Sequence, residues 1–66
     1  MTETNRKKIR HYLRKINNTK IALEYRRSYH QSLIAYMSAL VDAGLRDSEL
    51  DDYTRKAIKL MDILYN

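Results

Sequence analysis

Cysteine, proline, tryptophan and phenylalanine are absent from this 66-residue sequence, and glycine occurs once, at Gly44. Without cysteine there is no disulfide and no thiolate metal site. The two histidines, His11 and His30, are too few for a structural zinc site, so neither a metal nor a cofactor is expected. No apolar run approaches the roughly 20 residues that cross a bilayer, and the richest window, Leu33 to Val41, is interrupted by Tyr36 and Ser38. The opening stretch MTETNRKKIR is polar and leads into no apolar signal region, which makes a cytoplasmic protein the expectation. A single glycine rules out the glycine-rich nucleotide loops. The only nucleophile and base pairs, Ser28 or Ser32 with His30, lie two residues apart on a helix and do not face each other. Catalysis is therefore not expected.

What is present is a chain rich in Leu, Ile, Ala, Lys and Arg with almost nothing to break a helix, and the fold class it predicts is all-α. Ile9, Tyr12, Leu13 and Ile16 have the spacing of one helix face, predicting a helix over 4–17 with Thr2 or Thr4 as its cap and Glu3 near its positive end. Asn17, Asn18 and Thr19 are poor helix formers, and Asn18 or Thr19 suits the N-cap of a second helix over 19–43. A helix running straight through them costs only about 1 to 2 kcal/mol more, so two long helices and three shorter ones both remain open. Gly44 ends the second helix, because it alone takes a left-handed conformation freely, and Leu45 should fold back onto the last turn. Asp47 or Ser48 caps a third helix over 48–65, with Glu49, Asp51 and Asp52 in its first turn.

Leu33, Tyr36, Met37, Leu40, Leu50, Tyr53, Ala57, Leu60, Met61 and Leu64 form the apolar face of a hairpin from Leu33 to Leu64, with the core beginning near Tyr29. Two helices cannot bury that set between themselves. A domain this small gains no more than about 3 to 5 kcal/mol from one core, so a dimeric helical bundle, or another homo-oligomer, is expected. In size, and in its order of helix, short Asp-containing turn and helix, the hairpin resembles the Rop-type plasmid copy-number regulators. That resemblance implies a four-helix bundle of two hairpins with a basic face for paired RNA. Ala43-Gly-Leu-Arg-Asp-Ser-Glu-Leu is similar to the turn of the small sporulation-control aspartyl-phosphate phosphatases. Their Ser-Gln-Glu-Leu-Asp signature is here Ser48-Glu-Leu-Asp51, one residue short, and neither family is assigned.

Charge divides the chain more sharply than hydrophobicity does. Residues 1–30 hold nine Lys or Arg against two acids, whereas residues 31–66 hold four against six. Such asymmetry points to a polyanionic or acidic partner. Arg6, Lys7, Lys8, Arg10, Arg14, Lys15, Lys20, Arg26 and Arg27 are the candidate phosphate contacts, with Tyr25 and Tyr29, one turn apart, as stacking groups. A helix-turn-helix is not expected, since the helix after Gly44 should then be the basic recognition helix and its first turn is acidic. The expected function is that of a small bacterial or phage regulatory protein that binds nucleic acid, DNA or RNA, through its N-terminal half and dimerises through the hairpin. The alternative is an adaptor or inhibitor docking on an acidic protein surface. No membrane partner is expected, because the apolar stripe of the first helix is narrow for its many cations.

Overall fold

The computed structural model describes residues 1–66 as three helices, α1 (Glu3–Asn17), α2 (Leu23–Asp42) and α3 (Ser48–Tyr65), with no strand. Thr2 caps α1, its hydroxyl accepting from the Asn5 N–H at 3.2 Å. Asp47 caps α3, its Oδ1 accepting from the Leu50 N–H at 2.7 Å while Oδ2 lies 2.8 Å from the Met1 ammonium. Both contacts stabilise the charged form and hold the Asp47 carboxyl below its ordinary pKa. At the end of α2 the Leu45 N–H bonds the Leu40 carbonyl and the Gly44 N–H bonds the Val41 carbonyl, each at 2.9 Å. These are the paired bonds of a Schellman motif, and the φ of +96° at Gly44 is what that motif requires. No helix is long and apolar enough to cross a membrane.

The second helix starts later than its expected first residue, 19. Asn18 closes α1 instead of opening α2: its side-chain oxygen accepts from the Lys20 N–H at 3.0 Å and its carbonyl from the Ile21 N–H at 3.1 Å. This local turn competes with helix, as asparagine side chains do. Leu23 then begins α2 behind Ala22, which offers no side-chain cap. Tertiary packing, not capping, sets that start.

The helices run up, down and up, so that α2 is antiparallel to both neighbours. Tyr36 Oη donates to Asn5 Oδ1 at 2.5 Å across α1 and α2, and His30 Nε2 lies 2.8 Å from the Ala57 carbonyl across α2 and α3. Nε2 therefore carries the proton and donates. His30 is only 3 % exposed, so it belongs to the core.

The core does not begin near Tyr29. Ile9 and Ile16 of α1 are fully buried beside Leu33, Met37, Leu50, Tyr53, Ala57, Leu60 and Leu64. Each such side chain removed from water contributes about 1.5 to 3 kcal/mol, which makes α1 part of the scaffold. Most of the apolar surplus assigned to the hairpin is therefore covered within one chain. Tyr36 and Leu40 pack against the core only in part, and Met61 stays 46 % exposed. α1 packs along the α2–α3 hairpin, so a single chain is a three-helix unit and not a bare two-helix hairpin.

Candidate nucleic-acid interface

α1 carries six Lys or Arg and a single acid, Glu3. With Ile9 and Ile16 buried, Lys7, Lys8, Arg10 and Arg14 are exposed, while Arg6 and Lys15 are half-buried. Arg14 and Lys15 also sit in the last turn, where the negative end of the helix favours them.

α1 and α3 run parallel with residue i of one beside residue i+43 of the other. Arg6 meets Glu49 in a two-pronged ion pair, Nε to Oε2 at 2.6 Å and Nη2 to Oε1 at 2.9 Å, and also reaches Glu3 at 2.5 Å. Glu49 and then Glu3 hold the Arg6 guanidinium above its ordinary pKa, and Arg6 holds the Glu49 carboxyl below its own. One turn on, Arg10 Nε donates to the Tyr53 hydroxyl at 3.1 Å. Beyond Tyr53 no acid borders the groove. The groove continues between Arg10, Arg14 and Asn17 of α1 and Lys56 of α3, then between Leu13 and the pair Lys59 and Ile63, and no carboxylate lines it.

Lys56 and Lys59 escaped the reading of the sequence because α3 was judged by its acidic first turn. Their spacing and their position beside the Tyr53 and Leu60 stripe were visible, but not that α1 lies along that flank. Once it does, Arg10, Arg14, Lys56 and Lys59 make one cationic trough. Lys56 Nζ stands 5.5 Å from the centre of the Tyr53 ring, a cation–π distance.

The other candidate residues divide into two groups. Lys7 and Lys8 are exposed, with Lys8 Nζ 5.0 Å from the Tyr36 ring of α2, and Lys15 is half-buried. Lys20 is exposed in the turn, Tyr25 is 60 % exposed, and Tyr29 is half-buried against the core. Arg26 and Arg27 are engaged internally. Arg26 Nε donates to the Ile16 carbonyl and Arg27 Nε to the Leu64 carbonyl, both at 2.6 Å. Those carbonyls lie in the last turns of α1 and α3, which lack acceptor partners of their own and attract positive charge. Arg27 also lies 5.2 Å from the Tyr65 ring. Arg26 and Arg27 thus tie helix ends together, and their Nε protons are not offered to a ligand.

Comparison with protein-family models, curated proteins and solved structures finds no match to this chain.

Proposed function

We propose that this is a small non-enzymatic regulatory protein that binds the phosphate backbone of nucleic acid through the outer surface of α1 and the adjoining α1–α3 groove, working as a homo-oligomer. The observation that carries this reading is the trough of Arg10, Arg14, Lys56 and Lys59 with no carboxylate in its walls. A solvated helix face commonly interleaves both signs of charge, which support each other at i, i+4 spacing. From Thr4 to Asn17, α1 has no acid at all. Like charges held together in this way repel one another, and a polyanion relieves the repulsion while releasing its own counterions. Between the cations the trough is lined by Leu13, Tyr53 and Asn17, and the Asn17 amide, the one group of the three suited to reading a base edge, already donates to the Leu13 carbonyl at 3.0 Å. Backbone contact with modest sequence preference is the mode they fit.

Fluorescence anisotropy with labelled duplex and single-stranded oligonucleotides tests this. Affinity should fall steeply with salt, and Arg14→Ala and Lys56→Ala should each weaken binding and reduce the salt slope by about 1. No binding at roughly 50 mM salt, where phosphate contacts are strongest, overturns the reading and leaves an acidic protein surface as the partner of the same cations.

A further inference from the structure

The outer face of α1 differs from the rest of the cationic surface in what its side chains are free to do. Thr4, Lys7 and His11 follow one another at three and four residues, so they share one stripe of the helix, and Lys7 and His11 lie almost opposite the buried Ile9 and Ile16. All three are exposed. The arginines around them are tied down, Arg6 by Glu49, Arg10 Nε by the Tyr53 hydroxyl, and Arg26 and Arg27 by carbonyls. The side chains of Thr4, Lys7 and His11 make no hydrogen bond or ion pair within the chain and keep every donor and acceptor for a ligand.

Cations border that stripe on both flanks. On the α2 side Lys8 stands over the Tyr36 ring, and on the α3 side Arg10 and Arg14 line the trough together with Lys56. Glu3 and Asp52, exposed acids of α1 and α3, are each paired with an arginine, Arg6 and Arg55. A helix with its side chains is about 10 to 12 Å across, and the major groove of B-form DNA is about 12 Å wide with a phosphate backbone along each edge. From Thr4 to His11 the stripe climbs about 10 Å, the rise of about three base pairs. Its dimensions and its charge both match that groove.

Other forms of nucleic acid fit less well. A single strand is held by open aromatic rings on which successive bases stack, yet Tyr12 of α1 is half-buried, Tyr53 in the trough is 7 % exposed, and of Tyr25 and Tyr29 only the first is open. Paired RNA has a major groove too deep and narrow for side chains to read. We infer that the ligand is double-stranded DNA and that α1 lies in its major groove, Lys7 and His11 at the base edges, with Lys8 on one backbone and Arg10, Arg14 and Lys56 on the other. This rests on the nucleic-acid binding proposed above and names the ligand of that site. The Lys7 ammonium suits the O6 and N7 acceptors of guanine, and a neutral His11 ring offers one donor and one acceptor.

The test is fluorescence anisotropy of the full chain with four probes of one sequence: a DNA duplex, the same duplex with glucosylated hydroxymethylcytosine in place of cytosine, an RNA duplex and a single DNA strand. Glucosylation fills the major groove and leaves the phosphates unchanged. The plain DNA duplex should bind tightest, and glucosylation should weaken binding about tenfold or more. His11→Ala and Lys7→Ala replace exposed side chains and should keep wild-type helicity by circular dichroism. Each should lose more affinity for the plain duplex than for the glucosylated one, where the helix is already displaced. No binding to any probe overturns the nucleic-acid reading and this inference with it. Equal affinity for the two DNA duplexes, or tighter binding of the RNA duplex or the single strand, overturns this inference alone. A loss of equal size on both duplexes, or no loss, in the folded variants overturns the placement of Lys7 and His11 at the base edges.

Discussion

The two sides of the α2–α3 pair make an instructive contrast. On one side α1 buries the apolar stripe with Ile9 and Ile16 and turns Lys7, Arg10 and Arg14 outward. On the other, Ile34, Val41, Ile58, Met61 and Tyr65 remain at the surface, and the nearby Arg27 is occupied by a carbonyl and an aromatic ring. The first side has satisfied its hydrophobic demand and has charge to spare; the second has apolar surface to spare and its polar groups largely satisfied. Arginines of one type accordingly do different work on the two sides. Arg10 and Arg14 line an open trough, while Arg26 and Arg27 close helix ends.

The sharpest way to break the contrast is to ask whether α1 is scaffold or arm. Ile9→Ala should cost about 2 to 5 kcal/mol in urea unfolding, comparable to the whole stability of a domain this small. A change confined to local helicity, with the hairpin unfolding as before, would show that α1 is only an arm.

The division of labour among arginines gives a smaller effect. Arg27→Gln removes a charged donor from the α3 carbonyl terminus and should cost about 1 kcal/mol while leaving the salt slope of nucleic-acid binding unchanged. Arg14→Ala should do the reverse. If Arg27→Gln lowers that slope as Arg14→Ala does, its guanidinium is a phosphate contact after all.

The mildest effect lies at the Arg6–Glu49 joint, where the cationic side begins. Arg6 holds the Glu49 carboxyl below its ordinary 4.5. The pair therefore stabilises the fold above that pH, and the contribution is lost as pH falls from 4.5 through the lower folded value. Melting temperature measured against pH should fall less steeply over that acid range in Glu49→Gln than in the native chain. Asp47, whose carboxyl is also held down, contributes to the slope that remains. Equal slopes in the two proteins would remove Glu49 from the acid response.

Much of this was legible along the chain, and what was not has a common character. Helix class follows from a period of 3.6 and the near absence of breakers. The ends at Thr2 and Asp47 follow from side chains that accept from a backbone N–H three residues on, and the end at Gly44 from a left-handed φ that glycine takes freely. The late start of α2 was missed because Asn18 can serve either the end of one helix or the beginning of the next, and only packing chooses between them. Arg26 and Arg27 were read as free cations because a carbonyl 10 or 37 residues away leaves no trace in local pattern.

The all-α class, the helix ends at Thr2, Gly44 and Asp47 and the concentration of positive charge in the first half of the chain were therefore determined by the sequence alone, since each depends on composition or on neighbours a turn apart. Tertiary structure decided that α1 shares the core, that Lys56 and Lys59 join Arg10 and Arg14, and which apolar side chains remain uncovered. The reason is the parallel register of α1 on α3, which pairs residues 43 positions apart. Side chains so distant along the chain meet only when three amphipathic faces close on one another, and no single face specifies which of its flanks the others will take.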